Sequence, residues 1–224
     1  MDPATRIFER HRHRLLGLAY RMLGSPAAAE DVVHDAWLRW HDQDETSILD
    51  PEAWLVTATT RLALDRLRRV KGERERYAGP WLPEPLTEVA EAPDSAIERS
   101  ESLNLSFLAL LERLSPEERA AFLLHQVFDY SHGETAAMLQ ISEEAARQRT
   151  HRARQRLREG RPRFTHSPQA QRRLLERFRD ALEQADPASL RALFAEDAVH
   201  VADGGGKVTA TLRPLLGRER IARL

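Results

Sequence analysis

Helix starts are written into this chain as a recurring two-residue signal, and they constrain its fold more than any other feature. At Ser25-Pro26, Asp50-Pro51 and Ser115-Pro116 a short polar side chain precedes a proline. The Ser or Asp oxygen accepts an unpaired N–H of a first helical turn. Proline next to it loses nothing, because its N–H would lack a partner there anyway. Glu30, Asp31 and Glu52 add negative charge near the positive ends of these helices. Ser115-Pro116-Glu117-Glu118 and Ser131-His132-Gly133-Glu134 have the spacing of capping boxes, and Ser142-Glu143-Glu144 caps a further helix. Between these starts the apolar residues recur at helical spacing. Phe8, Leu15, Leu18, Ala19, Met22 and Leu23 stripe a helix over 4–23 that Gly24 ends. Val33, Ala36, Trp37 and Trp40 stripe a second, and Trp54, Leu55, Ala58, Leu62 and Leu67 a third. A mainly α fold follows.

Two small helical domains are expected, over 1–76 and 102–163. The segment 77–101 between them holds prolines 80, 83, 85 and 93, which exclude a continuous helix, and reads as an acidic linker. Its Trp81-Leu82-Pro83-Glu84-Pro85-Leu86 puts bulky apolar groups into a stiff extended stretch. That suits docking onto a protein surface or packing on the adjacent domain. After Ser167-Pro168 the chain begins again. Helices are expected from Gln169 to Gln184 and from Pro187 to Phe194. Alternating strands are expected at 198–202 and 208–212, around Asp203-Gly204-Gly205-Gly206-Lys207, and a short helix from Leu215 to Leu224. This tail, 168–224, is expected to be a partial α+β segment, truncated or incomplete, since about 55 residues make a thin independent core.

Composition narrows the function classes. The 224 residues include no cysteine, which removes disulfides and thiolate metal sites. No apolar run approaches the ~20 residues of a membrane span, and MDPATRIFERHRHR lacks the apolar stretch of a signal peptide. A cytoplasmic chain with no metal, cofactor or membrane partner is expected. The net charge of −1 is unevenly spread: Arg147 to Arg163 holds eight Arg and one acid, whereas Glu84 to Glu101 holds six acids and one Arg. The basic block is either a solvated helix face or a phosphate-binding surface, since arginine forks match phosphate oxygens.

That block overlaps the most specific pattern in the chain. Residues 130–154 read as a helix-turn-helix. Small Ala136 allows close helix approach, Ile141 plugs the turn, and Ala146, Thr150, Ala153 and Leu157 face inward at helical spacing. Glu144, Arg147, Gln148, His151 and Arg152 then face outward at the front of the second helix, the part that enters a major groove. Arg suits guanine edges and Gln adenine edges.

These residues, continuing through His151-Arg152-Ala153-Arg154-Gln155-Arg156-Leu157-Arg158, resemble region 4 of the extracytoplasmic-function sigma factors, group IV of the sigma-70 family. Ala29-Glu30-Asp31-Val32-Val33-His34-Asp35-Ala36-Trp37-Leu38 resembles the region 2 helix that docks on the β′ clamp helices of core RNA polymerase. Residues 53–69 resemble the helix that opens and reads the −10 element. The resemblance implies a sigma factor, not an enzyme, that binds core polymerase through its β′ and β subunits and directs promoter-specific initiation. It implies −35 contacts from Glu144, Arg147, Gln148, Arg149, His151 and Arg152, and −10 contacts from Arg61, Asp65, Arg68 and Arg69. It implies polymerase contacts from Asp31, His34, Asp35 and Leu38. Residues 46–50 match the loop said to hold a flipped base.

The tail extends the resemblance. Trp81 to Leu86, taken with Asp203, Gly204, Gly205, Gly206 and Lys207, resembles a subgroup carrying a fused SnoaL-like (NTF2-fold) extension. That implies regulation in cis through these two segments, with no separate anti-sigma factor required. A conventional helix-turn-helix regulator would need no acidic docking face at Asp31 to Leu38 and would bind a two-fold symmetric operator unaided. An NTF2-fold enzyme would need a pocket around His200 and Asp203, for which no partner network is visible in the sequence.

Overall fold

The structure is a computed structural model. It describes residues 2–43, 48–74, 82–84, 107–159, 168–184, 186–203 and 213–223. These divide into two compact units, one of residues 1–75 and 83–161, the other of 76–82 and 162–224.

In the first unit α1 (Pro3–Leu23), α2 (Pro26–His41) and α3 (Pro51–Arg74) pack on one another. The second and third begin as the cap signals predict. Ser25 Oγ accepts from Ala28, Asp50 Oδ1 from Ala53 at 3.0 Å, and Asp2 caps α1 in the same way ahead of Pro3. Gly24 ends α1 in the left-handed region, φ 72°, donating to the Tyr20 carbonyl. Leu15, Leu18, Met22, Val32, Val33 and Trp40 are buried, and the Trp40 indole N–H donates to the Ala4 carbonyl at 2.9 Å. The buried face of α3 is broader than its apolar stripe. It includes Val56, Thr59, Thr60, Ala63 and Leu64, and the Thr60 hydroxyl is satisfied by the Val56 carbonyl one turn back.

Then follow α4 (107–111), α5 (Pro116–Gln126), α6 (His132–Leu139) and α7 (Glu143–Glu159). Both capping boxes form: Ser115 with Glu118, and Ser131 with Glu134. The two helical blocks of the sequence pack together here. Buried Arg119 of α5 donates to the Met22 carbonyl at the end of α1 (2.7 Å), and Arg61 of α3 donates to the Met138 carbonyl at the end of α6 (2.9 Å). Glu84 is fixed on the α1–α2 turn, where its N–H donates to Gly24 and its carbonyl accepts from the Tyr20 hydroxyl.

The second unit contains α8 (Pro168–Glu183), α9 (Pro187–Leu193), the antiparallel pair β1 (Val199–His200) and β2 (Leu215–Leu216), and α10 (Arg218–Ile221). One expectation is corrected. Leu215 and Leu216 pair as a strand and do not begin a helix, because Gly217 at φ 87°, ψ 138° interrupts the chain and α10 starts only after it. The strand expected at 208–212, Gly204 to Lys207, most of the 77–101 segment, and residues 46 and 47 of the loop lie outside the described residues.

Candidate nucleic-acid interface

The turn before α7 is held locally. Gln140 adopts a left-handed conformation, φ 55°, Ile141 N–H donates to the Ala136 carbonyl, and Ser142 Oγ accepts from Ala145. Ala136 is buried, as the close crossing of α6 and α7 requires, while Ile141 is half-buried. Along α7, Ala146, Thr150, Ala153 and Leu157 are buried. Glu144, Arg147, Gln148, His151 and Arg152 consequently point to solvent, with Arg149 half-buried.

The outward side chains are tethered, and the tethers have charge consequences. Glu143 Oε1 accepts from Arg147 at 2.5 Å, and Glu144 Oε1 from Gln148 at 2.9 Å, each one helical turn apart. The hydrogen bond from Arg147 and its charge hold the Glu143 carboxyl below its usual range. Deeper in, buried Glu118 pairs with Arg152 at 3.3 Å and Arg156 at 2.6 Å while its carboxylate also closes the α5 capping box. The pairing roles of Glu118, Arg119 and Glu143 are not among the candidates that the sequence offers. The capping role of Glu118 was visible there, but its pairing with residues 34 and 38 positions away was not.

The candidate residues on α3 are also engaged. Arg61 spans the Met138 and Ala137 carbonyls, and Arg68 Nε donates to Glu117 of α5 at 2.9 Å and pairs with Asp65 at 3.4 Å. Among the described residues, exposed Arg69 reaches only the Asp65 carbonyl, at 3.4 Å. The structure thus sets Arg61 and Arg68 against the helix-turn-helix block and leaves Arg69 at the surface.

A separate exposed strip runs along α2. His34, Asp35 and Leu38 face solvent, with Leu38 keeping 45% of its surface exposed. His34, Trp37 and His41 stack in a ladder with centroids 5.8 and 5.4 Å apart. Asp31, on the same face, is paired with Arg66 of α3 at 3.0 Å. In the second unit, Asp203 Oδ2 accepts the Leu82 N–H at 2.9 Å, which joins one residue of each of the two signature segments. Trp81, Pro85 and Leu86 lie outside the described residues; Pro83 is buried and Glu84 exposed in the first unit. Among the described residues no cluster of His, Asp or Glu could hold a metal, and no helix is long and apolar enough to cross a membrane.

Known proteins share this arrangement. Residues 7–73 match the family described as Sigma-70 region 2, and residues 104–157 match Sigma-70, region 4. The ECF RNA polymerase sigma factor SigJ of Mycobacterium tuberculosis is 37% identical over 219 residues, covering 96% of this chain and 70% of SigJ. The probable ECF RNA polymerase sigma factor SigI of the same species is 30% identical, covering 83% of this chain and 64% of SigI. The crystal structure of SigJ superposes with a TM-score of 0.76 at 36% identity, over 96% of this chain and 72% of that one. Two sigma-70 regions in sequence order and a relative matching almost the whole chain are decisive: this chain belongs to the extracytoplasmic-function sigma factors, non-enzymatic proteins that bind core RNA polymerase and promoter DNA to direct transcription initiation.

Proposed function

We propose that the chain docks on the β′ clamp helices through His34, Asp35 and Leu38, with Asp31 braced by Arg66. Core polymerase then directs α3 to the −10 element and α7 to the −35 element. The observation that carries this reading is the two-sided character of α7: a buried seam of Ala146, Thr150, Ala153 and Leu157 beneath solvent-facing Arg147, Gln148, His151 and Arg152. That is the geometry of a helix seated in a bundle and aimed at a major groove.

On this reading the compact first unit is the resting form. Arg61, Arg68 and Asp65 cannot meet −10 DNA while Arg61 and Arg68 bond α6 and α5, so core polymerase must bind the separated form better and draw the chain toward it. We assign Arg69, already exposed, to the strand backbone. We assign residues 168–224 to a SnoaL-like extension that regulates the factor in cis, in the cytoplasm and without a separate anti-sigma factor. The Leu82–Asp203 hydrogen bond supports a working contact between the two signature segments, Trp81 to Leu86 and Asp203 to Lys207.

Reconstituted transcription tests the proposal. Core polymerase with the wild-type chain should initiate at a discrete start upstream of the chain's own gene, and core with Asp35→Arg should not. Equal transcription by both, or by neither, would rule out the assigned docking face as the route to activity.

A further inference from the structure

We propose that the stacked imidazoles of His125 and His132 form a proton-operated latch across the turn into the helix-turn-helix, and that opening the latch frees Arg147 from Glu143. The ring centroids are 3.8 Å apart and the planes 27° from parallel. On α5, His125 Nδ1 donates to the Tyr130 carbonyl at 2.7 Å, and on α6 the His132 Nδ1 is buried with no hydrogen-bond partner among the described residues. Between them the chain turns through Asp129, whose φ of 60° is uncommon for a residue with a side chain. Arg14 of α1 grips the same turn by donating to the Phe128 carbonyl at 3.1 Å. The stack therefore pins both ends of a strained connection.

The groups facing His132 are His125 from α5 and Arg147, Arg154 and Glu143 from α7. Burial first, then His125 and Arg147, hold the His132 imidazole below its ordinary value, which favours its uncharged form at neutral pH. Glu143 is the anion within reach. One of its oxygens holds Arg147, and the other lies 3.8 Å from where a Cβ on Gly133 would stand, over the first turn of α6. As the pH falls, two imidazolium rings cannot remain face to face. The ring that swings outward gains Glu143, and Arg147 loses it. Fold and DNA binding then respond in opposite directions. A histidine with a depressed folded value stabilises the fold above its unfolded value, and that stability is lost as the pH falls through the folded one. An uncommitted Arg147 beside a new positive charge attracts phosphate more strongly.

The inference rests on α7 being the DNA-facing helix. The test compares the full chain with His132→Phe, which keeps a stacked ring and removes one proton site. Melting temperature and affinity for a mixed-sequence duplex at low salt are measured at pH values of about 7.5 and about 5.5. Relative to the variant, wild type should lose more melting temperature and gain at least about threefold more affinity on acidification, the effect of roughly one added cation. Equal pH responses of the two proteins in both measurements would overturn the latch. Should His132→Phe not fold, ring-proton NMR of wild type decides. Two separated titration steps support the latch, and independent titration of both rings at an ordinary histidine value overturns it. Absence of duplex binding by wild type at both pH values would instead count against α7 as the DNA face, and the ring titration would still decide the latch.

Discussion

The Arg119 guanidinium donates to the Met22 carbonyl at 2.7 Å and pairs with Glu112 at 3.0 Å, so a buried cation from the region 4 half closes the last turn of the first region 2 helix. Arg61 returns the favour at the end of α6. Helix ends leave carbonyls without partners and carry partial negative charge, so an arginine from elsewhere satisfies both needs at once. Arg119 is 2% exposed, which makes its contacts the less screened of the two.

Arg119→Met should therefore destabilise the chain by about 1–3 kcal/mol, the cost of leaving a buried acceptor without its charged donor. Urea unfolding measures the loss. Hydrogen exchange should speed up at the C-terminal turns of α1 and α6 together, because the two caps act on one packed interface. Acceleration confined to α1 would show that the caps are independent.

Asp35→Arg should weaken core polymerase binding at least about tenfold, or 1.4 kcal/mol, with an unchanged melting temperature, since Asp35 is exposed and held by no ion pair among the described residues. Asp31→Arg should weaken binding too but also lower the melting temperature, because Asp31 pairs with Arg66. Exposed pairs of this kind are worth about 0–1 kcal/mol, so the second effect is small. Pull-down of core polymerase alongside thermal melts separates the two variants.

What was legible in the sequence was local. Caps at Ser25, Ser115 and Ser131 act within four residues, so their chemistry is written side by side, and the α7 seam repeats at a period the helix imposes. Burial of Thr60 was not legible, because a threonine hydroxyl bonded to the carbonyl one turn back lets the side chain pack like an apolar residue. Nor was the strand at Leu215–Leu216, whose partner lies across residues 201–214. The arginines divide the same way. Their outward placement on α7 follows from spacing, but the choice of Glu118 for Arg152 and Arg156, and of Met138 for Arg61, depends on how helices distant in sequence come together.

Trp40→Phe should cost about 1–3 kcal/mol. The indole N–H donates to the Ala4 carbonyl inside the region 2 bundle, and a phenyl ring gives up that bond and leaves a gap beside Trp54, whose ring centroid lies 5.4 Å away. Core binding by the folded fraction should be unaffected, because Trp40 is fully buried behind the exposed strip of α2. Denaturant midpoints check the first statement, and pull-down at low temperature the second.

Arg147→Ala and Arg158→Ala should fail in different ways, and the difference tests how α7 meets DNA. Arg147 stands at the front of the helix, exposed, with its guanidinium aimed by Glu143. If it reads a base edge, its loss costs about 1–3 kcal/mol at the cognate −35 sequence and relaxes preference at one base pair, leaving other positions alone. Arg158 lies in the last turn, exposed and far from the helix front. Its loss should weaken all sequences alike and reduce the salt dependence by about one unit of slope. Both are measured on holoenzyme binding to promoter variants across a salt series. A uniform loss for Arg147→Ala would recast it as a phosphate contact. Glu144, which holds Gln148 at 2.9 Å, would then be the next residue to vary in search of the base-reading position.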